Sequence, residues 1–472
     1  MRPIAHALPV LCFVAAACGS DAPRRNDADT TDTGACQAWE WSTPTSFPVP
    51  SDAPAGAFTE VERDAADCTS GKPLTTLTDL TGDGLPDLVE LEDCTDDTVG
   101  TDHWRVWPGT GAGFEDGIDW ALPAGYATHS FDGTLELQAD CDAGTPAFFV
   151  DELTGDGVPD LVVTWSCTDE TIGDTVWAVY PGGESGFGAV ESWSLPTGTV
   201  VGAWRAPTVD AVCTKGDSPA WSLTDLDGDH TIDLVVTSSC VESQVGRSWW
   251  DVYFGGAGAL TDLSRWDIPE DVRATVTGRS MADCGSSAPV FFLAQVDGER
   301  GSDLVVPSGC TSLGSDWEVY PGSRDGFEAS RAYAAPFESG DVVNLPEQEE
   351  PNCTSSLPAW RYDDLDGDDR ADLLFVASCS EAGVGDAWWT VAFGGDEGLG
   401  SQQPISLFSG YSAGSFDSTH TEERECAGSA DRPAWLMKDL DGDGVIELVV
   451  TSDCDDDPTA ASWSVRSLVC AD

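Results

Sequence analysis

Histidine and methionine are scarce in this chain of 472 residues, with 5 His and 3 Met. So few imidazoles leave little room for histidine-based catalysis or for a zinc site. Basic side chains are scarce too: 21 Lys and Arg stand against 84 Asp and Glu, for a net charge of −63. Charge of that sign is repelled by nucleic acid and by anionic membrane surfaces, and it favours cations as partners. No apolar run reaches the roughly 20 residues that cross a bilayer. The apolar stretch from Leu8 to Ala17 stops well short of that. The 16 cysteines include no CxxC pair, which argues against zinc ribbons. Plentiful instead are apolar residues at 41%, with 50 Gly, 28 Pro and 19 Trp. That apolar share rules out wholesale disorder, and the turn formers and tryptophans read as many strands rather than long helices.

The N-terminus reads as an export signal. Arg2 supplies positive charge, and Leu8 to Ala17 suits the apolar core of a signal peptide. The stretch ends Val14-Ala15-Ala16-Ala17-Cys18-Gly19. Small residues directly before a cysteine resemble a bacterial lipobox, and that resemblance implies a lipid on Cys18. The alternative is an ordinary signal peptide cut near the same place. Residues 19–34 hold no large apolar side chain. They read as a tether with a reach on the order of 20–25 Å. Arg24-Arg25 follows the apolar stretch, so it is no twin-arginine signal. The expected organisation is a signal peptide over 1–17, an anchor and tether over 18–34, and a folded body over 35–472. The expected location is the bacterial outer membrane or cell surface, held through lipid alone.

Six segments of the body share one pattern: TDLTGDGLPDLVEL (78–91), DELTGDGVPDLVVT (151–164), TDLDGDHTIDLVVT (224–237), AQVDGERGSDLVVP (294–307), DDLDGDDRADLLFV (363–376) and KDLDGDGVIELVVT (438–451). Their loops begin at 79, 152, 225, 295, 364 and 439, a near-constant period that marks one repeat domain rather than several unrelated ones. Each unit reads as four strands, a to d. In the third, Ala220 to Thr224 is strand a, Asp233 to Ser238 strand b, Ser248 to Phe254 strand c, and Ser264 to Pro269 strand d. Four strands repeated radially predict an all-β, six-bladed β-propeller, since solenoid repeats are shorter. The sixth unit stops after strand c, at Cys470. Strand d elsewhere carries Trp-x-x-Pro, as in Trp120 to Pro123, Trp193 to Pro196 and Trp266 to Pro269, with Tyr333 to Pro336 as a variant. The fifth unit departs from this, with Ile405 to Phe408. The orphan copy is Trp41-Ser-Thr-Pro44, so that segment is expected to complete the last blade and remove two free edges.

Twelve cysteines fall two per repeat: Cys68/Cys94, Cys141/Cys167, Cys213/Cys240, Cys284/Cys310, Cys353/Cys379 and Cys426/Cys454. Each pair flanks an a–b hairpin and faces across its open end, which predicts six disulfides worth ~2–4 kcal/mol each. Cys36 and Cys470 lie at the two ends of the body and are expected to lock the ring. An oxidising compartment permits all of these bonds.

The turns carry the chemistry. Position 1 is Asp79, Glu152, Asp225, Gln295, Asp364 and Asp439; position 3 is Thr81, Thr154, Asp227, Asp297, Asp366 and Asp441. Position 5 is Asp83, Asp156, Asp229, Glu299, Asp368 and Asp443; position 9 is Asp87, Asp160, Asp233, Asp303, Asp372 and Glu447. Position 7 would add a backbone carbonyl, from Leu85, Val158, Thr231, Gly301, Arg370 and Val445. Ca²⁺ takes about six to eight oxygens at roughly 2.3–2.6 Å, and this spacing curls such oxygens together. Glycine recurs at position 4, where a sharp bend needs no Cβ. An EF-hand would need flanking helices and Glu at position 12, but position 12 is Val163, Val236, Val306, Phe375 or Val450 from the second unit on. Up to six Ca²⁺ ions are expected, one per blade. The fourth site, with Gln295 first and Arg300 beside Glu299, is expected to be the weakest.

Two motifs carry a family resemblance. One is D-x-D-G-D-G-x-x-[DE]-L-V-V, as in Asp439 to Val450; the other is Trp-x-Val-Tyr-Pro-Gly-Gly followed by Gly-Phe, as in Trp177 to Phe187. Together they resemble the FG-GAP/VCBS repeat over nearly all of 41–470, and Tyr253 to Gly256 and Phe393 to Gly395 resemble its Phe-Gly part. The resemblance implies an integrin-α-like propeller with calcium in the blade hairpins, in a surface or secreted binding protein. The per-blade disulfide is not a general feature of that family.

Gly410-Tyr-Ser412-Ala-Gly414 matches a nucleophile elbow by letter only, since it falls in a connector rather than a strand–turn–helix. Trp104, Trp177, Trp250, Trp317, Trp389 and Trp463 hold one place in strand c and read as blade core. Trp165 and Trp204 do not follow that repeat and are candidates for stacking on a sugar or a partner side chain. The expected function is a calcium-stabilised, surface-anchored monomer that binds an extracellular glycan or protein, with no catalytic residues. The alternative is a calcium-dependent polysaccharide lyase or hydrolase.

Overall fold

The computed structural model describes residues 38–52, 58–59, 61–63, 65–207, 211–213, 218–256, 258–269, 272, 290–298, 301–308, 317–335, 347–354, 358–381, 383–421, 424–426, 432–454 and 462–471. Among them there are strands and turns and no helix. Each repeat folds into an antiparallel sheet in the order a-b-c-d. Blade 1 is Leu74–Thr78, Asp87–Glu92, His103–Trp107 and Ile118–Ala121. Blade 2 is Ala147–Asp151, Asp160–Trp165, Val176–Tyr180 and Glu191–Ser194. Blade 3 is Ala220–Thr224, Asp233–Ser238, Trp249–Tyr253 and Leu263–Asp267, within about a residue of the sequence reading. Blade 4 is Val290–Ala294, Asp303–Ser308, Trp317–Tyr320 and Arg331–Tyr333. Blade 5 is Ala359–Asp363, Asp372–Ala377, Trp388–Ala392 and Gln403–Ser406. Blade 6 takes Ala434–Lys438, Glu447–Ser452 and Ser462–Cys470 from the chain's end and Thr45–Pro48 from its beginning.

Strand b is buried along most of its length, as Leu-Val-Val runs demand. Strand d alternates buried and exposed, so it forms the outer edge. Six apolar clusters join the blades pairwise, each built from one blade's strand-c and strand-d core residues and the next blade's strands a and b. One of them unites Phe47, Val449 and Trp463 of the last blade with Leu77, Leu88 and Trp107 of the first. With that contact the six blades close into a ring, a six-bladed β-propeller. No helix of the described residues is long and apolar enough to cross a membrane.

The ring closes six residues further along than the Trp41-x-x-Pro44 reading places it. In blades 1, 2 and 3 the strand-c tryptophan pairs with the strand-d one: Trp104 with Trp120, Trp177 with Trp193, Trp250 with Trp266. Blade 4 pairs Trp317 with Tyr333, and blade 5 pairs Trp389 with Ile405. In blade 6 the partner of Trp463 is Phe47, so Phe47-x-x-Pro50 is the true strand-d copy. Trp41 instead pairs with Leu468 and packs edge-on at 5.8 Å against Trp389 of blade 5. That is the job of the Gly-Phe aromatic in other units, which reaches back one blade. Phe187 sits 5.5 Å from Trp104, Phe327 5.4 Å from Trp250, and Phe114 5.6 Å from Trp463. The residue at this place, leucine at 260 and 399, precedes the strand-d core residue of its own blade by six: 114 and 120, 187 and 193, 260 and 266, 327 and 333, 399 and 405, 41 and 47. Backbone bonds fix this staple, from the N–H of Phe187 to the Ala121 carbonyl (3.0 Å), Leu260 to Ser194 (2.9 Å) and Leu399 to Ala334 (2.8 Å).

Five of the predicted hairpin disulfides are present: Cys68–Cys94, Cys141–Cys167, Cys213–Cys240, Cys353–Cys379 and Cys426–Cys454. Cys284 and Cys310 lie outside the described residues. Cys470 is disulfide-bonded, and its expected partner Cys36 lies outside the described residues. Five such bonds are the mark of an oxidising compartment. The signal segment, Cys18 and the tether also lie outside the described residues.

Candidate metal centres

The a–b turns lie side by side on one face of the ring, and five disulfides close the other ends of their hairpins. Adjacent turns touch. The N–H of Ile232 donates to the Glu152 carbonyl (2.8 Å), Ser302 to Leu226 (3.1 Å) and Ala371 to Gln295 (3.0 Å). The position-4 glycines all take a left-handed φ, from 72° at Gly442 to 83° at Gly155. At Gly82 a Cβ would also stand 2.3 Å from the carbonyl oxygen of Gly157 in the next turn. Glycine is thus required twice over, by its own bend and by its neighbour.

Within a turn, each acidic position has a fixed task. The position-9 carboxylate is buried and ties the turn to its blade. Asp233 accepts the N–H of Leu226 (2.9 Å) and that of Gly255 past strand c (3.0 Å). Asp87, Asp160, Asp303 and Asp372 repeat this pair of bonds. In blade 6 Glu447 accepts from Leu440 (2.9 Å) and from the hydroxyl of Ser467 (3.3 Å). The position-1 carboxylate accepts from the position-4 N–H, at 2.8 Å for Asp225 and Gly228. Position 5 accepts from the position-7 N–H, at 2.9 Å for Asp443 and Val445 and for Asp83 and Leu85.

Four turns bring one oxygen from each of three carboxylates within 4.8 Å of one another: Glu152, Asp156 and Asp160; Asp225, Asp227 and Asp229; Asp364, Asp366 and Asp372; Asp439, Asp441 and Glu447. Each trio omits one expected ligand or replaces it. Thr154 turns its hydroxyl to Asp160 (3.3 Å). Asp233, Asp368 and Asp443 stand outside the trios of their turns, and Asp368 pairs with Arg370 (3.0 Å). In the first turn Asp79, Asp83 and Asp87 do not converge in this way, and Thr81 holds position 3. In the fourth turn Gln295, Asp297, Gly301 and Asp303 are described, and Glu299 lies outside the described residues.

Crowding raises the affinity of these carboxylates for protons. Burial, reinforced by neighbouring carboxylates, pushes Asp233 and Glu447 up to about 8. The same causes push Glu152 and Asp364 to about 7 and Asp366 to about 6. Burial also lifts Asp87 to about 6 and Asp303 to about 7, and it holds Asp372 well above its ordinary range. Two oxygens in the trios, Oε2 of Glu152 and Oδ1 of Asp366, are buried without a hydrogen-bond partner. Buried acceptors with no donor are costly unless something positive meets them. The donor set is all oxygen, with no imidazole or thiolate, and fits a hard cation.

The two tryptophan candidates part company. Trp204 is 1% exposed, and its indole N–H donates to the Pro196 carbonyl (3.1 Å). Its own carbonyl accepts the Trp177 indole (2.9 Å), as Phe131 does for Trp104, Phe416 for Trp389 and Phe58 for Trp463. Trp204 is therefore core and offers no stacking surface, which corrects the sequence reading. A 27-residue step from Trp104, Trp177 and Trp389 to Phe131, Trp204 and Phe416 was the signal for it. Trp165 is half-buried and lies under the guanidinium of Arg205 at 4.9 Å.

No family model matches the chain, and no curated protein does. The FG-GAP/VCBS resemblance therefore rests on the motifs alone. Among solved structures the chain is similar to a Photorhabdus luminescens Tc holotoxin pore, at 16% identity and TM-score 0.48, covering 92% of this chain and 15% of that one. It is similar to BBS1N in complex with ARL6DN, at 10% identity and TM-score 0.31, over 91% of this chain and 97% of that one. It is also similar to the Dos1 propeller, at 7% identity and TM-score 0.25, over 83% and 67%. The chain spans 15% of the length of the holotoxin chain. The fold is assigned from strand pairing and the closed ring of clusters.

Proposed function

We propose that the acidic turns hold calcium and that the propeller is a cell-surface-anchored module that binds a glycan or a protein. The observation that carries this reading is the convergence of three carboxylates in each of four turns, two of which also hold a buried oxygen that lacks a donor. Calcium suits them because it accepts many oxygens in flexible geometry, whereas Mg²⁺ demands a near-ideal octahedron and holds its waters. The ion would sit between positions 1, 3, 5 and 9, with the position-7 carbonyl and water completing its shell. Its role is structural: it relieves the repulsion that burial imposes and fixes the turn. The four trios, if filled, would cancel about eight charges of the net −63, so the surface stays acidic.

Binding, rather than turnover, is favoured because no inserted segment interrupts the repeats and the carboxylates are too many to single out a catalytic pair. A lipid on Cys18 would hold the ring just off the membrane by the tether of 19–34, and Cys18→Ser should move the protein from the membrane fraction to the soluble one. A glycan array in calcium, read both for retention and for release of reducing ends, tests the function. Retention without release is expected; turnover of any polysaccharide would replace this reading with the lyase or hydrolase alternative.

A further inference from the structure

A cation from the next blade leans on the third turn. The c–d hairpin of blade 4, in which Gly322–Ser323 pairs with Gly326–Phe327, carries Arg324 at its tip. Nε of Arg324 stands 3.6 Å from Oδ2 of Asp227, and Nη2 stands 3.9 Å from Oδ2 of Asp229. Both carboxylates belong to the converging trio of that turn. The Asp227 side chain is 5% exposed, whereas that of Arg324 is 77% exposed. The same place in the hairpins of blades 1, 2, 3 and 5 holds Gly111, Glu184, Ala257 and Asp396, none of them basic.

Other arginines near the turns make a different contact. Arg370 of the fifth turn pairs with Asp368 and Asp396, neither of them in that turn's trio. Among the described residues, no basic side chain except Arg324 forms an ion pair with a trio carboxylate. The adjacent second turn is the opposite case. Glu152, Asp156 and Asp160 have no basic partner among the described residues. Oε2 of Glu152, a residue 5% exposed, is buried without a donor. One turn thus keeps an unmet acceptor, while the other has a guanidinium standing in for an ion. A guanidinium and a divalent ion repel each other, so both cannot hold the same two carboxylates at these distances. An exposed ion pair is weak, so the arginine gives way to the ion rather than excluding it.

We propose that Arg324 is a tethered competitor for the calcium of the third turn: it neutralises Asp227 and Asp229 before the ion arrives, lowers the affinity of that turn, and swings into solvent as the ion enters. The inference rests on the calcium reading of the turns. The test is a calcium titration of the chelator-stripped full chain, read by hydrogen exchange. Peptides 152–160, 225–233 and 439–447 report three turns separately. Arg324→Gln should lower the calcium midpoint of 225–233 by roughly threefold to fivefold and leave the other two in place. Arg324→Lys keeps the charge and should stay near wild type. An unmoved midpoint at 225–233 in Arg324→Gln, or an equal shift at all three turns, overturns the inference and leaves the calcium reading standing. A lysine variant that shifts as far as the glutamine one also overturns it, because the effect is then not one of charge. No calcium-dependent protection at any turn overturns the calcium reading itself, and this inference with it.

Discussion

At one end of five a–b hairpins a disulfide joins the strands; at the other, carboxylates crowd round a turn. The first clasp is covalent and indifferent to pH or ions, as in Cys213–Cys240. The second, at Asp225, Asp227 and Asp229 of the same hairpin, gathers charge that resists being gathered. One end therefore holds the blade unconditionally, and the other holds it only when something positive is supplied. The comparison explains why a chain of net charge −63 can fold: covalent bonds fix the frame in which repelling groups must meet.

Removing the covalent end should have the largest effect. Each bond contributes ~2–4 kcal/mol, and losing several exceeds the roughly 5–15 kcal/mol by which most domains are stable. Strong reductant at 25 °C should abolish the near-ultraviolet circular dichroism of the buried tryptophans; a preserved spectrum would show the disulfides to be dispensable. Removing the ionic end should cost less. A filled turn adds about 2.7 kcal/mol when calcium stands at about 100 times its Kd. Chelator should therefore lower the melting midpoint while leaving the oxidised chain folded at 25 °C. An unchanged midpoint would count against structural calcium.

Acid should sharpen the contrast between the ends. Glu447 and Glu152, both members of converging trios, sit at about 8 and about 7 in the fold, well above their ordinary value of 4.5. Without metal, such groups favour the folded state while protonated, so the stability they add is complete below pH ~4 and is lost as pH rises towards about 8. The chelated protein should then melt higher at pH 5.5 than at pH 8. Calcium competes with those protons, so its stabilising effect should be greatest at pH 8 and shrink on acidification. Melting curves at both pH values, with and without calcium, should converge in acid. A calcium effect of equal size at both would mean that the raised carboxylates are not the ligands.

How much of this was legible in the sequence depends on the range of the interactions. The turn, strand b and the cysteine pair recur at fixed spacing, so Asp225 to Cys240 could be read directly. The closing strand was misplaced because Trp41-x-x-Pro44 mimics the strand-d motif, whereas the six-residue step from Trp41 to Phe47 marks both residues correctly. Trp204 looked free because its counterparts, Phe131 and Phe416, are a different aromatic. The ion pair of Arg331 and Asp297 joins strand d to the a–b turn of its blade, and no local pattern announces it.

The smallest predicted effect concerns position 6 of the turn, where two non-glycine residues are held in the left-handed region. Gly84, Gly157 and Gly444 take φ of 84°, 85° and 87° there, but His230 and Asp369 are held at 69° and 64°. A left-handed non-glycine costs roughly 1–2 kcal/mol. The N–H of His230 bonds Oδ2 of Asp225 at 3.0 Å, a contact glycine would keep. His230→Gly should relieve the strain and lose some of the gain to the greater freedom of the unfolded chain, about 0.5–1 kcal/mol. The net should be a rise of about 1–2 °C in the melting midpoint. Gly82→Ala provides the opposite case, because its Cβ would meet the Gly157 carbonyl at 2.3 Å and force two turns apart. If His230→Gly lowers the midpoint instead, the imidazole makes a contact at the third turn that outweighs its backbone strain.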